Sequence, residues 1–355
     1  MAKQIKIKDI ARMAGVSAGT VDRILHNRGN VSASSRAAVE KVLAEVDYKY
    51  NIHASAISLR KEYKIDIVIP TALGGEYWGA VQNGFEHALN EYRDISIDCR
   101  FHYYNQFDFY SCRSAYSELN GSEPDAVIIG PTFVEETIVL CRGLEEKNIP
   151  YIFVDSRIEG TSPLTTYTTD QYACGCILGR LLGSLTPKES GIAILGAKRI
   201  GNRKANNSLE RKKGFLDYFS SSGDKRSVKE ASYSVLNPDD NEEEVMTFLK
   251  ENPDVKGIAV LNSRGYIIAD LLKAKGIRNI VVASFDLTGN NRRCLEEGSI
   301  SALLCQRPEL QGFNSIKSAI NHLLYKQDEP QVNHLMPIDI LMKENLPFYR
   351  ELFEI

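Results

Sequence analysis

The side chains best suited to chemistry in this chain stand at the ends of short apolar runs. Tyr77-Trp78 come after Ile65-Asp66-Ile67-Val68-Ile69-Pro70, Thr132 follows Ile129-Gly130-Pro131, and Asp155 follows Val154. Asn262 comes after Leu261, Asp286 after Val282-Ala283-Ser284-Phe285, and Gln306 after Leu303-Leu304-Cys305. An aromatic pair beside neutral amides and a few carboxylates suits a polyhydroxylated small molecule. Aromatic faces pack on its C–H surface, while amides and carboxylates satisfy paired hydroxyls. Taken singly, each of these residues reads equally well as a helix cap or a core residue, and Trp78 is as much core as platform. The chain has no phosphate-binding Gly-x-x-x-x-Gly-Lys-Ser/Thr loop and no His-Glu-x-x-His. Glu135-Glu136 and Glu145-Glu146 fall on expected helix surfaces as solvated charge. Neither a catalytic constellation, nor a metal site, nor a cofactor is expected.

Positioning such residues requires strands. Beyond Lys64, apolar runs of strand length alternate with amphipathic stretches, the first carrying Val81, Phe85 and Leu89. Further strands are expected at Ile95–Tyr103, Ala126–Gly130, Tyr151–Val154, Ile192–Leu195, Gly257–Leu261 and Ile280–Phe285. Buried runs separated by helices predict parallel sheets in α/β layers. Residues 64–355 are too many for one compact open sheet, so two lobes are expected. Ligands of open α/β sheets bind beyond the carboxyl ends of the strands, where the residues above stand.

The first sixty residues have a different periodicity, that of three short helices. Ile7, Ile10, Ala11 and Ala14 share a helical face that stops at Gly15, and Ser17 can cap a second helix bearing Val21, Ile24 and Leu25. Ser32 can cap a third, with Val39, Val42, Leu43 and Val46 as its stripe. Two helices around a short Gly-containing turn have the form of a helix-turn-helix, although any small three-helix bundle shares this periodicity. Charge separates this segment from the remainder. Residues 1–64 hold 12 Lys and Arg against 6 Asp and Glu, whereas the other residues hold 31 against 40. A basic head on an acidic body is the footprint of a chain that meets nucleic acid with one end. The start Met1-Ala2-Lys3-Gln4 has no apolar signal region, and no apolar run reaches membrane-helix length. Seven scattered cysteines without a Cys-x-x-Cys pair fit reduced thiols, hence a cytoplasmic location.

The ordered stretch Ile7-Lys8-Asp9-Ile10-Ala11-Arg12-Met13-Ala14-Gly15-Val16-Ser17, with Thr20-Val21 and Val31-Ser32, resembles the DNA-binding head of the lactose-repressor (LacI/GalR) family of transcription regulators. The resemblance implies that the helix from Ala18 lies in the major groove, with Ala18, Gly19 and Arg23 at base-reading positions. Arg23 alone of these carries a long donor able to grip a guanine edge. Thr20, Asn27, Ser32, Ser35 and Arg36 would contact the DNA backbone, and Ser32 and Ser35 also read as simple caps. Asp22 departs from the small polar residue usual there. The segment Tyr50–Arg60 resembles the family hinge, with Leu59 as the minor-groove wedge and Ala56 as the small residue beside it. Ile57 replaces a basic or polar residue, and the usual proline near position 52 is absent.

Behind the head, Thr169-Asp170-Gln171, Arg211-Lys212-Lys213-Gly214-Phe215, Phe285-Asp286 and Gln306-x-Pro308 resemble the periplasmic-binding-protein-like core of the same family. The implied plan is an all-α helix-turn-helix head at 1–50, a hinge helix and linker at 51–63, and a two-lobe α/β core at 64–355 whose sheets are parallel. The N-lobe would take 64–163 and 305–336, and the C-lobe 164–304 and 337–355. Within the core the resemblance singles out Asp286 and Arg211 as ligand residues, then Asn206, Asn262, Tyr77 and Trp78. Ser263-Arg264 stand where family members often carry Asp, which makes an anionic sugar such as a uronic acid conceivable. The implied function is ligand-controlled regulation by a homodimer that binds a near-palindromic operator and responds to a carbohydrate effector. The alternatives are a transport-type sugar-binding protein, which would carry a signal peptide rather than a basic head, and a sugar-processing enzyme.

Overall fold

The computed structural model describes residues 7–25, 31–45, 62–119, 121–201, 205–326 and 332–350. The chain falls into two compact units, residues 1–60 and 61–355.

In the first unit three helices, α1 (Ile7–Ala14), α2 (Ala18–Leu25) and α3 (Ala33–Glu45), enclose Ile10, Ala11, Val21, Ile24, Val39 and Val42. The turn between α1 and α2 follows from its residues. Gly15 takes φ +66°, a left-handed stop that costs a glycine little, and the Val16 amide donates back to the Ala11 carbonyl at 3.0 Å. Ser17 then caps α2 by accepting from the Thr20 amide at 3.1 Å, and Ser32 caps α3 by accepting from Ser35 at 3.2 Å.

In the second unit, twelve strands among the described residues form two six-stranded sheets. The first contains β1 (Tyr63–Pro70), β2 (Ile97–Tyr104), β3 (Ala126–Ile129), β4 (Tyr151–Asp155), β5 (Thr165–Thr168) and β11 (Asn333–Leu335), in the order β11-β5-β4-β3-β1-β2. The second contains β6 (Gly191–Ala197), β7 (Val228–Tyr233), β8 (Val255–Val260), β9 (Val281–Phe285), β10 (Ala302–Cys305) and β12 (Asp339–Leu341), in the order β12-β10-β9-β8-β6-β7. Side chains that alternate along β1 enter different cores: Ile65, Ile67 and Ile69 on one face of the sheet, Val68 on the other. Burial on both faces is why these strands read as continuous apolar runs.

Two details depart from the sequence-based expectation. Strand β5 pairs with β4, so the first passage between lobes follows Thr168 rather than residue 163. Four Thr and Tyr residues carry little hydropathic signal, yet all four are buried. The second sheet also ends in an antiparallel strand, β12 against β10, because the chain re-enters this lobe from β11 without a helical crossover.

Helices α4 (Tyr77–Glu91), α5 (Phe109–Leu119), α6 (Val134–Glu146) and α12 (Pro308–Tyr325) cover the first sheet. The second is covered by α7 (Gln171–Leu185), α8 (Asn206–Ser221), α9 (Asp240–Glu251), α10 (Gly265–Ala274) and α11 (Gly289–Glu297). Helices α7 and α8 cross so closely that a Cβ on Gly175 would lie 2.0 Å from the Arg211 carbonyl oxygen, and one on Gly214 would lie 2.0 Å from that of Tyr172. Neither backbone can yield without moving its helix, so Gly175→Ala should cost about 1–3 kcal/mol of stability by overpacking. Gly183→Ala, on the same helix but with its nearest neighbour at 3.7 Å, should be neutral or stabilising by up to about 1 kcal/mol through helix propensity. Denaturant unfolding of the two variants checks this, and equal midpoints would contradict the close-packing account.

Candidate functional site

The nine core residues singled out from sequence all line one cavity of about 50 Å³ between the lobes: Tyr77, Trp78, Thr132, Asp155, Asn206, Arg211, Asn262, Asp286 and Gln306. Most occupy strand ends or helix starts. Asp155 closes β4, Asn262 lies just past β8, Asp286 follows β9 and Gln306 follows β10, while Tyr77 and Trp78 open α4.

Arg211 sits at the centre, 5% exposed. Its Nε donates to Gln171 Oε1 at 2.7 Å, Nη1 to the Leu261 carbonyl at 2.9 Å and Nη2 to Gln306 Oε1 at 2.7 Å. Its guanidinium carbon lies 3.8 Å from the centre of the Phe285 ring. The direct partners are therefore neutral, and charge compensation comes at longer range from Asp155 and Asp286.

Both aspartates are held in left-handed backbone conformations, with φ +75° at Asp155 and +59° at Asp286, each costing roughly 1–2 kcal/mol. Neighbouring groups fix them there. The Asp155 amide donates to Gln311 Oε1 at 3.0 Å, and the Asp286 amide donates to the Leu304 carbonyl at 2.9 Å. The Asp155 carboxylate accepts from Tyr77 at 2.7 Å and from Asn207 at 2.8 Å. Gln306 Nε2 donates to both Asp286 oxygens, at 3.0 and 3.1 Å. Burial raises the pKa of Asp155, against the Arg211 charge and the Tyr77 and Asn207 hydrogen bonds. Burial pushes Asp286 up to about 6, again against Arg211.

The lobes meet directly around this cavity. Asn206 Nδ2 donates to Ser156 Oγ and to the Arg157 carbonyl, both at 2.9 Å, and its backbone amide donates to the Thr132 carbonyl at 3.2 Å. The Ile200 amide reaches the Phe107 carbonyl at 2.7 Å, and Arg264 pairs with Glu76 at 3.4 Å. Asn262 spends its side-chain oxygen inside the C-lobe, accepting from Tyr233 at 2.7 Å and from the Arg264 amide at 2.9 Å. Trp78 lines the cavity, and its ring also packs so closely on Gly130 that a Cβ there would lie 2.5 Å away.

Several site residues were not found by sequence reasoning, Arg199 in the cavity wall among them. Gln171, Asn207, Phe285 and Gln311 hold Arg211 and Asp155 in place. Gln171 and Phe285 belong to stretches recognised above, but amides and a phenyl ring inside helices and strands carry no signal that separates positioning from packing.

In the first unit, Ala18, Gly19 and Arg23 are exposed on α2, opposite the buried Val21 and Ile24. The hydroxyls of Thr20, Ser32 and Ser35 take part in the caps, with Ser17 Oγ 2.9 Å from Thr20 Oγ1 and Ser32 Oγ 2.9 Å from Ser35 Oγ. Arg36 is half-buried, 3.9 Å from Glu40. Asn27, Ala56 and Leu59 lie outside the described residues, as does the Asp22 side chain. Gly15-Val16-Ser17-Ala18-Gly19 has the spacing of a nucleophile elbow, but it joins two helices rather than a strand to a helix, and Ser17 is the cap. Among the described residues no helix is long and apolar enough to cross a membrane, and no group of three His, Cys, Asp or Glu is placed to hold a metal ion.

Comparison with known proteins matches the two units separately. Residues 6–51 match the lacI family of bacterial regulatory proteins, and residues 66–327 match the periplasmic binding protein domain. The transcriptional regulator DegA of Bacillus subtilis is 24% identical over 293 residues, 78% of this chain and 82% of its own length. The crystal structure of a candidate LacI transcriptional regulator from Bacteroides fragilis aligns with a TM-score of 0.77 and 32% identity, over 82% of this chain and 100% of that one. A solute-binding protein from Agrobacterium vitis bound with α-D-tagatopyranose shares the core fold at a TM-score of 0.68 and 20% identity, over 80% of this chain and 96% of that one. With a helix-turn-helix head of this family ahead of a two-lobe periplasmic-binding-protein-like core, the chain belongs to the LacI family of bacterial transcription regulators.

Proposed function

We propose that this regulator binds a near-palindromic operator as a homodimer and that a carbohydrate-like ligand held between its core lobes sets its affinity for that operator. The observation that carries the reading is the composition of the interlobe cavity. Two carboxylates, two guanidinium groups and several amides converge there beside Tyr77 and Trp78. Such a set offers acceptors and donors in pairs to vicinal hydroxyls and an aromatic flank to ring C–H groups, without a group placed for bond breaking. The ligand is bound and released unchanged.

Coupling follows from the lobe contacts. Asn206 and Asn207 join α8 to the end of β4, and Arg264 joins Glu76. A ligand bridging Asp155 in one lobe and Asp286 in the other favours a particular closure angle. In a dimer, a change in closure angle alters the spacing of the paired heads, and one small head alone buries too little DNA for high affinity. Operator titration with and without a sugar that raises the melting temperature of the protein tests the coupling. Identical affinities for every sugar shown to bind would defeat it.

At the DNA, Arg23 is the exposed long donor on α2. Arg23→Ala should weaken specific binding by about 1–3 kcal/mol per head while leaving non-specific binding nearly unchanged. Competition shift assays with operator and random duplex measure that ratio, and an equal loss on both duplexes would reassign Arg23 to the phosphate backbone.

The cleft should also respond to pH. Asp286 is ionised at pH 7 and takes a proton as pH falls through about 6. A ligand hydroxyl that donates to the ionised form binds more weakly on the acid side, by roughly tenfold between pH 7 and pH 5. Asp286→Asn should bind weakly at both values, with most of that dependence gone. Calorimetric titration at the two pH values decides it, and a variant with an undiminished slope would exclude Asp286 as the titrating group.

A further inference from the structure

Arg199 lines the interlobe cavity just beyond the end of β6 and is used quite differently from Arg211. Its guanidinium lies over the Phe107 ring at 5.1 Å. Its Nε is fully buried and has no hydrogen-bond partner, and its side chain makes no hydrogen bond or ion pair with any described residue. Arg211, by contrast, spends Nε and both terminal nitrogens on protein acceptors. Arg264 approaches Phe107 at 5.4 Å but is already paired with Glu76 and donates to the Tyr266 hydroxyl at 3.3 Å. The cavity therefore presents a half-buried guanidinium with a desolvated Nε, turned to no acceptor among the described residues, at the end nearest Phe107. Burial lowers the pKa of Arg199 only to about 10, so it remains a cation at neutral pH.

An unpaired cation that is partly withdrawn from water is unfavourable unless an anion completes it. A guanidinium fork matches the two oxygens of a carboxylate with parallel hydrogen bonds. A phosphate dianion would draw a second cation, and Arg264, which approaches the same Phe107 ring, is committed to Glu76. A second anionic group near Asp155 and Asp286 would be repelled, whereas hydroxyls there would find acceptors.

We propose that the effector is a sugar acid, bound with its carboxylate on Arg199 and its hydroxyls toward Asp155 and Asp286. The inference rests on the reading that the cleft holds a polyhydroxylated ligand, and it assigns that ligand a charge and an orientation. Arg199 then discriminates acids from neutral sugars, while the aspartates and Arg211 recognise the polyol.

The test is calorimetric titration of the full-length protein with D-galacturonate, D-glucuronate and D-gluconate, each beside its neutral parent D-galactose, D-glucose or D-glucitol, and with D-glucose 6-phosphate. At least one acid should bind tenfold or more tightly than its parent and more tightly than the phosphate ester. Arg199→Gln should shrink that acid-to-parent ratio at least tenfold, while Arg199→Lys, which keeps the charge but loses the fork, should retain part of it. Neutral sugars binding as well as their acids would overturn the acid assignment and leave the polyhydroxylated-ligand reading standing. A failure of every acid and every neutral sugar to bind would overturn both. Tighter binding of glucose 6-phosphate, or an Arg199→Gln variant with an undiminished ratio, would also overturn the assignment. Should that variant fail to fold, as judged by circular dichroism and melting without ligand, the acid-to-parent ratio of the unmodified protein decides alone.

Discussion

The core is organised around a buried guanidinium. Arg211 lies away from water with a ring beneath it and three neutral oxygens around it, and its countercharges stand farther off at Asp155 and Asp286. Removing such a charge from water is unfavourable by several kcal/mol before its hydrogen bonds are counted. The surrounding residues are accordingly constrained in type. Gln171 and Gln306 must offer oxygen to Arg211, and their amide nitrogens are then free to donate, Gln306 to Asp286 and Gln171 to Thr169. The orientation of one cation thus sets the polarity of much of the cleft wall.

The backbone constraints serve the same centre. Gly175 lets α8 approach α7 closely enough to bring Arg211 under β8 and β9, and the left-handed turns at Asp155 and Asp286 redirect two carboxylates from strand ends into the cavity. These unfavourable turns are held by Gln311 and by the β10 backbone, so strain and its restraint lie within a few residues of each other.

Sequence was most informative where local rules act alone. The Ser17 and Ser32 caps, the Gly15 stop and the apolar stripes of the head depend only on neighbours three or four residues away, and they read directly. So did the buried strands that are rich in Val and Ile, and the rule that ligand residues follow strand ends gathered Asp155, Asn262, Asp286 and Gln306. Strand β5 did not read, because Thr165-Thr166-Tyr167-Thr168 owes its place to pairing between β4 and β11 rather than to hydropathy. Nor did Asn207, Gln171 and Gln311, whose roles depend on meeting partners 40 to 156 residues away. Arg199 carried no local signal either, since the ring beneath it, Phe107, lies in the other lobe.

Gln306 occupies a passage where the chain leaves β10 for α12, and it accepts from Thr169 in the other passage, beyond β5, at 2.9 Å. Two of the three strands of chain that join the lobes are therefore stitched together beside Arg211, which puts Gln306 and Arg211 close to the pivot of any lobe rotation. Motion there is small for a given angle, and the chemistry of recognition stays nearly rigid. The lobes also meet where the Ile200 amide donates to the Phe107 carbonyl and where Arg264 pairs with Glu76, contacts that any lobe rotation must keep or break. The residues that stitch the passages together are in this way distinct from those that join the lobes at Ile200 and Arg264.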